Sequence, residues 1–318
     1  GGIRTIIWTD SLQTLFMLTA VGVTVYLISQ QLDLSFTGLV QTVADSKHSK
    51  IFFWGNWNGE YHFIKQFFAG AFIAIVMTGL DQDMMQKNLS CRNIKEAKKN
   101  MYWFSIALIP VNLLFMSLGA LLIIYAKKEG IPLPEQSDDL FPIIATQGYL
   151  APFVGILFVV GLVAAAYSSA DSALTALTTS FTMDILDSKD MEEKPLKKRR
   201  KMVHVGVSIV LVIIILIFNA VNNQAVISAL FTIAGYTYGP LLGMYSFGLF
   251  TKYQVRDRWV PVVAVLSPIL SGLLSFNSET LFNGYQFGFE LLIVNGLITF
   301  VGLVLLRKKK RVAGSSRQ

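Results

Sequence analysis

The sequence predicts an all-α integral membrane protein of about eight transmembrane helices. Three observations carry this. The 318 residues are 53% hydrophobic and only 15% charged, with a mean hydropathy of +0.54. Several apolar runs reach the length of about 20 helical residues that a hydrocarbon core requires. The basic residues fall in alternate loops between those runs. Spans are drawn at 5–29, 63–86, 101–126, 149–186, 202–219, 224–250, 259–276 and 286–306. This composition excludes a soluble enzyme.

The first span opens on Thr9 and Asp10, and the D-x-x-Q spacing of Asp10 and Gln13 allows a helix N-cap with Gln13 reaching back. Loop 30–62 is the longest, and its Phe52, Phe53, Trp54 and Trp57 suit an interfacial aromatic belt on the outer side. Gly70 and Gly79 mark the second span, where Thr78 to Asp81 is read as the break of a discontinuous helix with exposed backbone. Asp81, Gln82 and Asp83 either gate its inner end or pair with Lys87 and Arg92.

The third span is plainly apolar. Segment 128–147 is an outer loop in which Pro132 and Pro134 prevent regular structure until a short helix near Ser137, favoured by Asp138 and Asp139. The fourth span is followed by a charged hinge, 187–201, and Pro240 is expected to kink the sixth. Arg307 to Arg311 stops the last span, leaving 312–318 as a disordered cytoplasmic tail after a single polytopic domain over 1–311.

With the first residue inside, 22 of the 27 Lys and Arg residues face the cytoplasm, and only Lys47, Lys50, Lys65, Lys127 and Lys128 lie outside. This asymmetry fits an even number of spans with both ends cytoplasmic, in the plasma membrane. The net charge of +7 and pI near 9.3 then reflect orientation and anionic lipid, not nucleic acid. Cys91 is the only cysteine, His48, His62 and His204 lie apart, and no HExxH or GxxxxGK[ST] occurs. No cysteine metal site or nucleotide engine follows, so any transport must use a gradient. The start at Gly1-Gly2 without methionine predicts missing upstream sequence.

The fourth span carries the most unusual chemistry. Ala164 to Leu186 places Ser168, Ser169, Asp171, Ser172, Thr175, Thr178 and Thr179 at membrane depth. Unpaired hydroxyls are unfavourable there and a carboxylate more so, which makes such a cluster a functional-site hypothesis. At 100° per residue Ala165, Ser168, Ser169, Ser172, Ala176 and Thr179 share one stripe, with Asp171 and Thr175 on its flank. An oxygen-rich face suits a hard cation. The same serines can instead bond back to preceding carbonyls or let helices pack closely.

The opening GGIRTIIWTDSLQTLFML, the helix AAAYSSADSALTALTTSFTMDIL and the segment IAGYTYGPLLGMYSFGLFTK resemble the sodium:solute symporter family. That resemblance implies a LeuT-like fold of two inverted five-helix repeats. The chain would hold core helices 5–10 and two peripheral helices, without core helices 1–4. It also implies Na+ as coupling ion, a small organic solute as cargo, the lipid bilayer as surroundings, and neither nucleic acid nor nucleotide as partner.

On core helix 8 the family pattern is a carbonyl followed three and four residues later by two hydroxyls, which matches Ala165, Ser168 and Ser169 as half of a main sodium site. Some members have a second sodium site, which maps to Asp10, Ser168, Asp171 and Ser172; here Asp171 replaces a serine, so this is a sodium or a proton site. Met77 and Thr78 stand where sugar carriers have an aromatic pair, which argues against glucose or galactose, and Thr232 stands where they have a glutamine. Met77, Thr78, Thr232 and Tyr236 are the solute-contact candidates. The function implied is sodium-coupled import by alternating access. A membrane substrate-sensor module and a proton-coupled carrier of the same fold are the alternatives.

Overall fold

The structure is a computed structural model that describes residues 3–188, 191–221 and 225–308; the side chains of 3–7, 9, 82, 83, 86 and 87 lie outside that description. The predicted tail 312–318 therefore falls outside it too. Twelve α-helices are described: α1 (Ile3–Gln31), α2 (Phe36–Ala44), α3 (Phe63–Gly79), α4 (Gln82–Leu89), α5 (Ile94–Lys128), α6 (Leu140–Thr146), α7 (Pro152–Ser180), α8 (Glu193–Val221), α9 (Val226–Phe250), α10 (Val260–Phe276), α11 (Ser278–Leu281) and α12 (Leu291–Leu305). Six helical stretches, on α1, α5, α7, α8, α9 and α10, are long and apolar enough to cross a membrane, while α3 and α12 are shorter apolar helices. Each of the eight predicted spans thus contains one apolar helix.

The boundaries differ where charge hides a helix or a loop shortens one. The charged hinge ends early because α8 begins at Glu193 and takes in the whole basic run. Pro195 falls in its first turn, where a missing N–H costs nothing, and unbranched Lys and Arg side chains propagate a helix well. Loop 30–62 contains α2, capped by Ser35, whose hydroxyl accepts from the Gly38 N–H at 3.2 Å. The last span loses residues 286–290 to a loop held by polar contacts. In the second span, α3 ends at Gly79 and α4 begins at Gln82, so a break is present at Leu80 and Asp81, while Thr78 and Gly79, read as part of it, are still helical. Asp81 caps the new start through a 3.1 Å bond from the Met84 N–H.

The chain divides into two compact units, residues 1–50 with 85–226, and residues 51–84 with 227–318. In the first, α1 packs along α7, and α5 and α6 close a core of Val21, Ile28, Leu118, Leu122, Tyr125, Ile144 and Val154. Tyr125 ends this core with its hydroxyl, which has one proton to give, placed between two acceptors, Gln31 Oε1 and the Tyr149 carbonyl. Asp138 stands in the first turn of the short helical turn that begins at Ser137, as expected, and also accepts from the Val226 N–H at 2.7 Å. Helix α8 has no buried residue. In the second unit, α3, α9 and α12 share a core of Ile73, Val76, Leu242 and Leu292, and α10 packs on α12.

Candidate functional site

The polar stripe of α7 meets α1 in the first unit. Gly161 sits where a Cβ would lie 4.0 Å from the Met17 backbone nitrogen, and two helical turns on, Ser168 donates to the Asp10 carboxylate. The helices therefore run antiparallel in a matched seven-residue register. Ser168 is buried, and its single proton is committed to Asp10. That differs from the chain's ordinary behaviour: Thr14, Thr24, Thr232, Thr237 and Ser271 all bond back to the carbonyl four residues earlier. Back-bonding is thus not what Ser168 does.

Asp10 lies inside α1, so it is not the helix N-cap that its D-x-x-Q spacing allowed, and Gln13 points instead to Met17 Sδ at 3.7 Å. Ser172, one turn beyond Ser168, is buried and its hydroxyl has no hydrogen-bond partner among the described residues. Ala165 is half-buried, and Ser169 and Asp171 are exposed. The structure thus joins Asp10 to Ser168, with Ser172 buried one turn along on the same stripe, and leaves Ser169 and Asp171 on accessible faces of α7.

Further along α7, hydroxyls outside that stripe are spent on packing. Thr178 Oγ1 lies 3.3 Å from His204 Nδ1 of α8, and Thr182 donates to the Thr178 carbonyl at 2.6 Å. Thr182 sits in a π-helical turn, Phe181–Ile185, that ends α7. The hydroxyls of the cluster therefore serve two ends: on the stripe Ser168 bonds a carboxylate, and off it Thr178 packs against α8.

The solute candidates all lie in the second unit. Met77 packs against the core shared by α3, α9 and α12, and Thr78 is half-buried just before the helix break. Thr232 is exposed. Tyr236 is half-buried, with its ring 3.6 Å from where a Cβ would stand on Gly272 of α10. The side chains of Gln82, Asp83 and Lys87, proposed for gating or ion pairs, lie outside the described residues.

Two groups in this unit were not singled out from sequence. Lys65, 5% exposed, places its ammonium 2.9 Å from the Gly59 carbonyl, 2.7 Å from the Gln286 carbonyl and 3.2 Å from Glu290 Oε1, one acceptor for each N–H. The Tyr285 ring lies 3.9 Å from the same nitrogen, and its hydroxyl donates to Glu290 Oε1 at 2.9 Å. Glu290 and burial together push the Tyr285 hydroxyl well above its ordinary pKa, burial contributing most. The second group is Asn295, fully buried in α12, whose amide donates to α9. A lysine in the run FIKQFF and an asparagine in a 15-residue apolar helix were the available signals.

Comparison with known proteins agrees with this architecture. The Na+-coupled sialic acid symporter solved in a substrate-bound outward-open state, reported with a novel Na+ site, superposes with a TM-score of 0.72 at 19% identity, covering 97% of this chain and 64% of that one. The fold is accordingly LeuT-like. The sodium/sialic acid symporter NanT of Aliivibrio fischeri is 26% identical over 288 residues, which is 85% of this chain and 54% of NanT. The sodium/sialic acid symporter SiaT of Proteus mirabilis is 24% identical over 300 residues, 87% of this chain and 58% of SiaT. A sodium-dependent multivitamin transporter of Oryctolagus cuniculus is 27% identical over 267 residues, 79% and 40%. The chain thus spans about half the length of the curated relatives it matches. With residues 1–255 matching the sodium:solute symporter family, the chain belongs to that family.

Proposed function

We propose that this chain forms part of a sodium-coupled secondary active symporter that imports a small organic solute by alternating access. The observation that carries the reading is the buried oxygen set on α1 and α7: Ser168 bonded across the helix pair to Asp10, and Ser172 with a hydroxyl that nothing described satisfies. Oxygen ligands suit a hard cation, and neutral hydroxyls keep binding weak enough for release. Asp10 and Ser172, with Asp171 at the flank, form one sodium position, and the Ala165 carbonyl with Ser168 and Ser169 contributes to the main one. Met77, Thr78, Thr232 and Tyr236 face the solute, and a sialic acid is the first solute to test because two of the relatives carry it.

Orientation follows the loop charges, with the first residue and the last span's basic end cytoplasmic. Each sodium charge moving down 100 mV releases about 2.3 kcal/mol. That supports accumulation of roughly fifty-fold before the sodium concentration gradient is added.

The test is uptake by the full-length protein in proteoliposomes. N-acetylneuraminate and a panel of sugars, carboxylates and vitamins are offered with and without an inward sodium gradient, for wild type, Ser169→Ala and Asp10→Asn. Sodium-driven uptake that falls in both variants supports the reading. Uptake indifferent to sodium but driven by a proton gradient and lost in Asp10→Asn transfers the site to a proton, and uptake indifferent to all three overturns it.

A further inference from the structure

Pro240 lies inside α9. In an α-helix the N–H of each residue bonds the carbonyl four residues back, so a proline at 240 leaves the Tyr236 carbonyl without its helical partner. Asn295 of α12 supplies the missing donor: its Nδ2 lies 2.9 Å from the Tyr236 oxygen and 3.0 Å from the adjacent Gly235 oxygen. Both amide protons are used on neighbouring carbonyls of another helix. This fixes the orientation of the amide, since the reverse would set an oxygen against two oxygens. The amide's own Oδ1 is left buried with no partner among the described residues, an unfavourable arrangement in hydrocarbon that is retained with the two donations.

The approach is built for this contact. A Cβ on Gly239 would stand 2.3 Å from the Asn295 amide, and one on Gly243 would stand 2.5 Å from the Gly296 carbonyl, so only glycines let α12 come this close. One turn along α12, Thr299 bonds with Ser267 Oγ of α10 at 2.6 Å and donates to the Asn295 carbonyl at 3.0 Å. Asn295, Thr299, Ser267 and Ser271 are all fully buried. Helix α12 is therefore tied to α10 one turn away from where Asn295 holds α9.

We propose that Asn295 is a positioning residue: from α12 it completes the backbone of α9 at Pro240 and so sets the pose of the α9 segment that carries Thr232 and Tyr236. Its meaning for solute binding rests on the proposed function, but the helix repair does not. A continuous α9 needs no help from α12. A proline repaired from outside makes a joint that a neighbouring helix can hold or release.

The experiment is a double-mutant cycle in the full-length protein, combining Asn295→Val with Pro240→Ala, which restores the N–H that Asn295 replaces. Each variant also carries Thr232→Cys, with Cys91 replaced by Ser, and its labelling by a membrane-impermeant maleimide is followed beside thermal unfolding in detergent. Asn295→Val is expected to change the labelling rate about tenfold and to lower the unfolding midpoint, and adding Pro240→Ala is expected to restore both to the Pro240→Ala values within about twofold. If Asn295→Val is poorly produced, the yield of folded protein is the readout, and Pro240→Ala is expected to recover it. Equal losses from Asn295→Val with either residue at 240 would overturn the proposal and leave Asn295 a packing residue. These readouts need no solute, so a coupled cycle beside no sodium-driven uptake by the protein that keeps Thr232 would retain the repair and discard the transport reading, and such uptake without coupling would do the reverse.

Discussion

Two buried polar seams, one in each compact unit, use similar residues to opposite ends. Between α1 and α7, Asp10 accepts from the Ser168 hydroxyl, and one turn along α7 the Ser172 hydroxyl lies buried without a partner among the described residues. In the second unit the carboxylate of Glu290 meets an ammonium, Lys65, at 3.2 Å, and the buried amide of Asn295 reaches backbone carbonyls. Each seam leaves a buried oxygen without a partner among the described residues, Ser172 Oγ in the first and Glu290 Oε2 and Asn295 Oδ1 in the second, but the second brings its own ammonium and amide donors to its acceptors. A buried polar residue in a membrane helix is therefore better read by the balance of donors and acceptors around it than by its polarity alone.

The comparison breaks most visibly at Lys65. Replacing it by Met leaves Glu290 buried without its cation, and two loop carbonyls without a donor. A loss of about 3–5 kcal/mol is expected, the usual penalty for removing one partner of a buried pair. Thermal or denaturant unfolding of the full-length protein in detergent measures it. The pair Lys65→Met with Glu290→Met is expected to recover much of the loss, because no charge is then stranded. If Lys65→Met proves no worse than a substitution at exposed Lys50, the second seam is not self-sufficient and the contrast fails.

The first seam responds in ion binding, with little change in folding. Asp10→Asn removes the charge but keeps the shape, and is expected to weaken sodium binding roughly 10- to 100-fold, with Ser172→Ala at the lower end of that range. Isothermal titration with NaCl against choline chloride reads the affinity, and the unfolding midpoint should move little. A variant that loses its fold while keeping its sodium affinity would make this seam structural, like its counterpart.

What the sequence could tell follows the same division. Long apolar runs placed α1, α7 and α9, and the small-polar periodicity of α7 marked Ser168 and Ser172, because both signals are local. Helix α2 lay hidden in a polar loop although Ser35 offered a capping hydroxyl, and the start of α8 lay hidden under its own basic run. Periodicity set Thr178 apart from the stripe of Ser168 on α7, but it could not show that Thr178 meets His204 while Ser168 meets Asp10. Pro240 was legible as a weak point in α9, but its remedy comes from a residue 55 positions further on. Lys65 and Glu290 are likewise far apart in sequence, and each alone looks like a loop-side charge.

The smallest expected effect sharpens the comparison at the loop end of the second seam. Tyr285 donates to Glu290 Oε1 and lies against the Lys65 ammonium, and burial together with the Glu290 charge raises its pKa above the ordinary tyrosine value of about 10. Below the unfolded value, tyrosine is protonated in both states and its contribution to stability is fully present. As pH rises above about 10, the unfolded chain releases this proton first while the folded protein keeps it, so folding becomes less favourable. One group can change stability no faster than about 1.4 kcal/mol per pH unit. Tyr285→Phe is expected to flatten the alkaline limb of stability between pH 9 and 11 (about one unit either side of the tyrosine value), and to lower stability slightly at neutral pH, where the bond to Glu290 is lost. Unfolding midpoints collected across that range for wild type and variant make the test. An unchanged alkaline slope would mean that Glu290 is satisfied by Lys65 alone, with Tyr285 serving only as the ring on which the ammonium rests.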